Sequence, residues 1–127
     1  MATVADLMTK DVLTVEPSDS IGEAAEKMVA AKVGAVVVME DFVRIVGIVT
    51  ERDLLRAVAS RARAAEARVR QWMTPDPVTI EPETTVEDAA KVMFDHNFRH
   101  LPVVKDGRPL GIVSLRVLSR WAFERSA

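Results

Sequence analysis

The chain has 127 residues, of which 49% are hydrophobic and 28% are charged, a composition typical of a compact soluble protein with a substantial core. Its 17 basic and 19 acidic residues give a formal net charge of -2, so no overall charge attracts it to nucleic acid or to an anionic membrane. Cysteine is absent, which excludes disulfides, thiolate catalysis and cysteine-based metal sites.

No apolar run in the sequence approaches the roughly 20 residues that a membrane-spanning helix requires. The N-terminus also lacks a basic region followed by an apolar core, which is the pattern of a secretory signal. We therefore expect a cytoplasmic protein that does not bind membranes.

The chain contains an internal repeat. Residues 4–17 return as residues 69–82, with Met-Thr in the middle and Glu-Pro at the end of both segments. Met8 corresponds to Met73, an offset of 65 positions. This repeat predicts three segments, which are a first repeat (1–62), a linker or helix end (63–68) and a second repeat (69–127).

Each repeat continues with a predicted helix that has one apolar face. Its start is marked by a hydroxyl residue followed three positions later by an acid, Ser20 with Glu23 and Thr85 with Asp88, which is the capping-box pattern. Apolar residues then recur at helical spacing. They are Ile21, Ala24, Ala25 and Met28 in the first repeat and Val86, Ala89, Ala90 and Met93 in the second.

Two short strands joined by a tight turn follow each of these helices. The predicted strands are 35–39 and 43–49 in the first repeat, and 101–104 and 109–113 in the second. Asp41 and Asp106-Gly107 mark the turns. Because the second turn is one residue shorter, Gly47 corresponds to Gly111.

The last helix differs between the repeats. In the first repeat the sequence predicts a long arginine-rich helix from Glu51 toward Ala67, which would either contact nucleic acid or serve as a solvated linker. In the second repeat the predicted helix 115–123 contains several apolar side chains, including Trp121 and Phe123. These side chains would either join the core or form a surface for a partner.

The segment Gly47 to Leu54 is where a β-branched apolar strand changes into a charged helix. At such a junction the Thr50 hydroxyl and the Asp53 carboxylate can converge on a polyol, while Arg52 and the helix N-terminus favour an anion. A ribose phosphate has both features. Thr50 and Asp53 also form a capping-box pattern, and the sequence leaves both interpretations open.

These motifs, in this order, resemble a tandem pair of cystathionine-β-synthase (CBS) domains, known as a Bateman module. The resemblance covers essentially the whole chain, and most of its motifs occur twice. They are Met8-Thr9 and Met73-Thr74, Thr14-Val15-x-Pro17 and Thr79-Ile80-x-Pro82, Arg99-His100-Leu-Pro-Val103, and Gly47-Ile-Val-Thr50 with Gly111-Ile-Val-Ser114.

The resemblance implies an α/β (α+β) fold in which two pseudo-twofold-related β-α-β-β-α repeats pack sheet to sheet. It also implies two clefts between the repeats that bind adenosine compounds such as AMP, ADP, ATP or S-adenosylmethionine, with no obligatory cofactor. The implied role is regulatory. A homodimer and a regulated protein partner, which the sequence does not identify, are implied as well.

By this resemblance Thr50 and Asp53 would bind the ribose, and the Asp53 carboxylate would accept hydrogen bonds from the ribose hydroxyls. The implied contacts to the base are Ile48, Pro77, Val78, Leu101 and Pro102, and those near the phosphate end are Arg52 and His100. Gly34 stands where the second repeat has Arg99, so the number of phosphates in the ligand stays open.

The second implied cleft lacks the acid of the motif. Ser114 retains the hydroxyl, but Val117 stands where the first repeat has Asp53, and valine cannot bind ribose. The residues that would line this cleft are Val12, Leu13, Val36, Val37, Arg99, Ile112, Ser114 and Arg116. We therefore expect one adenosine site per chain and a second cleft that is empty, weak or used for another purpose.

Other kinds of site have little support in the sequence. His96 and His100 are the only histidines, and a metal site would need further ligands, so we expect none. No arrangement of nucleophile, base and orienting residue is visible, and no phosphate-binding glycine loop, so we expect no enzyme.

The leading hypothesis is a stand-alone, cytoplasmic regulatory protein that binds an adenine nucleotide and signals by a change in conformation or oligomeric state. One alternative is a ligand-free interaction or structural module that acts through its dimer or through a partner surface with Trp121 and Phe123. Another is a nucleic-acid binder that uses the arginine-rich helix, although the net charge disfavours it.

Overall fold

The computed structural model describes residues 1–126, which form six helices and six strands. In chain order these are α1 (Val4–Leu7), β1 (Thr14–Val15), α2 (Ile21–Ala31), β2 (Ala35–Glu40), β3 (Arg44–Thr50), α3 (Glu51–Ala59), α4 (Val69–Trp72), β4 (Thr74–Pro75), α5 (Val86–His96), β5 (His100–Lys105), β6 (Arg108–Ser114) and α6 (Leu115–Ser126). They divide into a central unit, Leu13–Pro77, and a terminal unit, which combines Met1–Val12 with the chain from Val78 onward.

The central unit is built on a four-stranded sheet with the strand order β1-β2-β3-β4. β1 runs parallel to β2, while the other neighbouring strands are antiparallel. Valine and isoleucine dominate β2 and β3 because β-branched side chains suit a buried pleated surface. The core between the sheet and helices α2 and α4 consists of Val15, Ala24, Met28, Val36, Val38, Val49 and Val69.

The terminal unit repeats this arrangement with fewer paired residues. β5 and β6 form an antiparallel hairpin, flanked by a parallel bridge from Ile80 to Val103 and an antiparallel bridge from Thr9 to Ile112. These bridges lie at the positions that β1 and β4 occupy in the central unit. The predicted mixed α/β fold is confirmed, and each end of the four hairpin strands lies within one residue of its predicted position.

The compact units group the chain differently from the sequence repeats. α4 and β4, which open the second repeat, belong to the central unit, and α1 and Thr9, which open the first repeat, belong to the terminal unit. Two glycines allow these opening segments to lie directly against a strand. A Cβ on Gly47 would lie 2.5 Å from Met73 Sδ, and a Cβ on Gly111 would lie 2.7 Å from the Thr9 carbonyl oxygen. The close approach therefore requires glycine at both positions.

Helix α3 is much shorter than the sequence predicts, and the expectation of a helix reaching Ala67 is wrong. The helix ends at Ala59, and Arg61 adopts the left-handed conformation with φ 63°. The Ala62 N–H donates to the Ala57 carbonyl and the Arg61 N–H to the Val58 carbonyl, each at 3.0 Å. This pair of bonds is a Schellman motif, which satisfies the last carbonyls and stops the helix.

The early end of α3 removes the predicted basic helix. Arg61, Arg63 and Arg68 lie beyond its last turn, where Arg63 pairs with Glu66 and the Arg68 guanidinium donates to the Ser18 carbonyl oxygen. Arginines in a turn do not form the continuous basic face that the nucleic-acid hypothesis required.

Helix α6 divides its apolar side chains between the core and the surface. Leu118 is buried, and Leu115 and Trp121 pack against the core of the terminal unit. Phe123, by contrast, is 78% exposed. In the described part of the chain, no helix has both the length and the apolar character needed to cross a membrane.

Candidate functional site

The candidate site begins where β3 passes directly into α3 without a loop. Thr50 is the last residue of the strand and the N-cap of the helix. Asp53 Oδ2 accepts a hydrogen bond from the Thr50 backbone N–H at 2.9 Å, and Thr50 Oγ1 accepts from the Asp53 backbone N–H at 3.4 Å. These reciprocal bonds form a complete capping box, so Thr50 and Asp53 do stabilise the start of the helix.

Asp53 has more partners than a capping residue requires. It is 2% exposed, and besides the Thr50 N–H its Oδ2 accepts from the Thr50 hydroxyl at 3.2 Å. Its Oδ1 accepts from Arg56 Nη1 at 2.9 Å and from the Thr74 hydroxyl at 3.4 Å. A carboxylate offers about four acceptor positions. Protein donors therefore fill the acceptor positions of Asp53, and a sugar must displace at least one of them to bind.

Arg56 is the most exposed of these donors. Its side chain is 57% exposed, and its guanidinium carbon lies 5.8 Å from the centre of the Trp72 ring, within the range of a cation–π contact. Arg56, Trp72 and Thr74 belong to the central unit, as does Asp53. They were not predicted as site residues. A basic residue three positions after an acid on a helix is the signal that would have identified Arg56.

The structure places five predicted residues of the first site in the central unit. Ile48 is buried within β3, Arg52 is exposed in the first turn of α3, and Pro77 is half-buried at the end of the unit. Thr50 and Asp53 complete this group. The other four predicted residues lie in the terminal unit and are Val78, His100, Leu101 and Pro102.

The corresponding junction of the terminal unit is simpler. Ser114 ends β6, and its Oγ accepts a hydrogen bond from the Val117 backbone N–H at 3.2 Å. The hydroxyl half of the cap is thus retained, while the acid half is missing. Within residues 1–126, Arg120, which matches Arg56 in the repeat, has no carboxylate partner.

The predicted residues of the second site are also divided between the two units. Leu13, Val36 and Val37 belong to the central unit. Val12, Arg99, Ile112, Ser114 and Arg116 belong to the terminal unit. Arg99 is exposed, and its carbonyl oxygen accepts from the Leu115 N–H at 2.8 Å, as the Gly34 carbonyl oxygen accepts from the Glu51 N–H at 3.1 Å. The backbone at the two junctions is therefore equivalent, and the difference lies in the side chains.

The two histidines occupy different structural positions. His96 ends α5, where its Nδ1 is 3.0 Å from the Val92 carbonyl oxygen and its ring stacks on Phe98 with centroids 5.4 Å apart. His100 begins β5 opposite Ser114. Among the residues that the structure describes, no cluster of three or more His, Asp or Glu side chains is placed to hold a metal ion.

Comparison with known proteins identifies the family. Residues 4–60 and 69–124 each match the model of the CBS domain. An uncharacterized 17.7 kDa protein of Acidianus ambivalens is 40% identical over 122 residues, which cover 94% of this chain and 73% of that protein.

Two solved structures of CBS-pair proteins contain adenosine compounds. CBSX2 of Arabidopsis thaliana, in complex with AMP, is 33% identical, with a TM-score of 0.79 and 100% of both chains covered. The CBS domain pair of protein MJ0100, in complex with 5'-methylthioadenosine and S-adenosyl-L-methionine, is 26% identical, with a TM-score of 0.90 and 98% of both chains covered. With two CBS domains in tandem and this shared fold, the chain belongs to the CBS domain family.

Proposed function

We propose that this protein is a cytoplasmic regulatory CBS pair that binds one adenosine compound per chain, such as AMP, ADP, ATP or S-adenosylmethionine, through Thr50 and Asp53. The observation that carries the proposal is the buried Asp53 carboxylate beside a hydroxyl at the end of β3. The adenosine compounds found with CBSX2 and with MJ0100 support the choice of ligand class.

The chemistry of the junction suits a ribose. The two ribose hydroxyls are donors, and bonds to a charged acceptor are shorter and stronger than neutral ones. Thr50 Oγ1 can donate or accept, so it adapts to either hydroxyl. In this proposal Ile48, Pro77, Val78, Leu101 and Pro102 contact the base, while Arg52 and His100 lie toward the phosphate end. Their role follows from the family resemblance.

The proposed mechanism is a population shift. A ligand can change the arrangement of the repeats or of the subunits only to the extent that it binds one arrangement more tightly than the other. In this proposal, no chemical reaction of the ligand is required, and the protein is not an enzyme. The response passes to a regulated protein that associates with the module.

A homodimer is part of this proposal. Leu55 and Val58 lie three residues apart on α3 and are 69% and 67% exposed, and Phe123 on α6 is also exposed. Apolar side chains at this spacing form one stripe on a helix, which is typical of a surface that pairs with another helix. The same side chains favour the second candidate function, a ligand-free interaction module.

The test compares Asp53→Asn with Glu23→Gln. Glu23 is a matched control because its Oε1 accepts from the Ser20 N–H at 3.0 Å, as Asp53 accepts from the Thr50 N–H, and Glu23 lies outside the proposed site. We would measure binding of AMP, ADP, ATP and S-adenosylmethionine by calorimetry and by the shift in Tm. Ligand at about 100 times its Kd adds roughly 2.7 kcal/mol of stability, which raises Tm by several degrees.

The proposal predicts a selective Tm shift that is lost in Asp53→Asn and retained in Glu23→Gln. Equal loss in both variants would assign Asp53 to helix capping alone. Absence of any shift in the wild-type protein, together with a dimer that Phe123→Ser weakens, would favour the interaction module.

A further inference from the structure

We propose that Arg56 competes with the ligand for Asp53, so that a ribose binds only after its hydroxyls displace the Arg56 guanidinium. The Arg56–Asp53 ion pair would then set the affinity and the salt dependence of the site. This inference rests on the proposed function, because it assumes that Asp53 accepts hydrogen bonds from the ribose.

The hydrogen bonds of Asp53 determine which donor leaves. The bond from the Thr50 N–H to Oδ2 belongs to the capping box, so its loss would leave a backbone donor at the start of α3 unsatisfied. The bonds to Oδ1 come from side chains, Arg56 at 2.9 Å and Thr74 at 3.4 Å. Oδ1 is therefore the oxygen that a ribose can reach at the lower free-energy cost.

Arg56 is also the donor that blocks Oδ1 most effectively. Its bond is the shorter of the two and carries a charge, whereas the Thr74 hydroxyl is neutral and can rotate to another acceptor. The guanidinium is exposed, so it stays hydrated when it leaves Asp53 and can return when the ligand dissociates. The cation–π contact with Trp72 helps to hold the guanidinium in its position on Asp53.

The terminal unit contains the same arginine without its partners. Arg120 matches Arg56, but Val117 and Leu7 stand in the terminal unit where the central unit has Asp53 and Trp72. The ion pair is thus present only at the junction that retains the acid. Arg120 consequently provides a matched control, since it lies at the same position of the repeat and, among residues 1–126, pairs with no carboxylate.

The experiment measures the binding of adenosine to the wild type, Arg56→Met and Arg120→Met by calorimetry. Adenosine carries the ribose hydroxyls and no charge, so salt acts on the protein alone. Methionine retains an unbranched stem and high helix propensity, and its sulfur can still contact Trp72. Because the Arg56 guanidinium is exposed to water, its ion pair with Asp53 contributes only modestly, and we expect Arg56→Met to tighten adenosine binding about two- to fivefold. Arg120→Met should leave it unchanged.

Salt dependence gives a readout that a purely structural role would not change. Added salt screens the charge of the exposed Arg56 guanidinium and weakens its ion pair with Asp53, so adenosine should bind the wild type more tightly as ionic strength rises. In Arg56→Met this increase should vanish. Weaker adenosine binding in Arg56→Met would overturn the inference, because it would mean that Arg56 orients Asp53 for the ligand.

The outcomes also separate this inference from the proposed function. If Asp53→Asn abolishes adenosine binding while Arg56→Met binds adenosine as the wild type does, competition by Arg56 is excluded and the ribose site stands. If neither adenosine nor the charged nucleotides bind the wild type, both proposals fail.

Discussion

The two strand–helix junctions of this protein perform the same structural task with different side chains. Thr50 and Asp53 form a complete capping box with four side-chain or backbone donors around one carboxylate, whereas Ser114 caps its helix with a hydroxyl alone. A hydroxyl is therefore sufficient to begin this helix. The buried acid of the first junction exceeds what capping needs, which is why we assign it a second role.

The largest expected effect comes from making the first junction like the second. Asp53→Val would remove the acceptor of the Thr50 N–H, of the Arg56 guanidinium and of the Thr74 hydroxyl. Because hydrogen bonds to charged groups contribute about 1.5–3 kcal/mol and a cap about 1 kcal/mol, we expect a loss of about 2–3 kcal/mol in unfolding free energy. Urea denaturation measures this loss, and calorimetry should show adenosine binding weakened at least about tenfold.

Ser114→Ala is the control for that prediction, since it removes the only side-chain cap of the other junction. It should cost about 1 kcal/mol and leave adenosine binding intact. Equal destabilisation by the two substitutions would mean that Asp53 contributes no more than an ordinary cap.

The next effect concerns the glycines that precede the junctions. Gly111→Ala would place a Cβ 2.7 Å from the Thr9 carbonyl oxygen, whereas in Gly47→Ala the nearest backbone atom, the Thr74 oxygen, is 3.0 Å away and the shortest contact is to Met73 Sδ. A methionine side chain can move more easily than backbone. We expect a loss of about 2 kcal/mol for Gly111→Ala and a smaller loss for Gly47→Ala, measured by urea denaturation.

Double substitutions test whether the two glycine variants differ in the atoms that cause the steric conflict. A Cβ on Gly111 would also lie 2.7 Å from Met8 Sδ. Met73→Ala should rescue most of the loss in Gly47→Ala, while Met8→Ala should rescue a smaller share of the loss in Gly111→Ala because the Thr9 oxygen stays in place at 2.7 Å. Equal rescue at both positions would contradict the assignment of the steric conflict to a side chain at Gly47 and to a side chain together with the backbone at Gly111.

A smaller effect is expected from restoring the acid that the second junction lacks. Val117→Asp would add an acceptor for the Ser114 N–H and a carboxylate three residues before Arg120. Acids in the first turn of a helix stabilise it, so we expect Tm to rise by an amount equivalent to about 0.5–1 kcal/mol. The control is Val117→Asn, which keeps the shape without the charge. A lower Tm in Val117→Asp would show that the half-buried valine contributes more by packing than an acid does by capping.

The smallest effect is the response of the Ser20–Glu23 capping box to pH. The hydrogen bond from the Ser20 backbone N–H, followed by that of its side chain, holds the pKa of Glu23 below its ordinary value of 4.5. A lowered pKa means that this stabilisation is fully present above pH 4.5 and is lost as the pH falls through the pKa of the folded protein. Unfolding free energies measured between pH 3 and pH 7 should therefore change less in Glu23→Gln than in the wild type. A parallel pH profile in both proteins would remove Glu23 from the acid response.

Much of the fold was predictable because the repeat identifies equivalent residues. The apolar runs and the turn residues between them located the hairpin strands. The spacing of hydroxyl and acid located the starts of α2 and α3. The end of α3 was not predictable from composition, because alanine and arginine favour a helix beyond Ala59 and only the left-handed Arg61 stops it. The helix propensity of individual residues does not predict the end of a helix that is determined by its C-terminal cap.

The candidate site was predictable only in its central pair. Thr50 and Asp53 stand in one short motif, so their proximity follows from helical spacing. Thr74 lies 21 residues after Asp53, and its contact depends on β4 pairing with β3 rather than with a strand of its own repeat. No local pattern reports such a pairing, and for the same reason the contact between Arg56 and Trp72 was missed.

Each compact unit contains the opening segment of the other repeat. This exchange of segments also determines the order in which the chain can fold during synthesis. The central unit is continuous in sequence, so all of its partners leave the ribosome within one stretch, Leu13–Pro77. The terminal unit combines Met1–Val12 with the chain from Val78 onward, so Thr9 must wait for Ile112 before it can pair. A nascent chain that ends after the first repeat therefore carries an N-terminal segment whose partners do not yet exist.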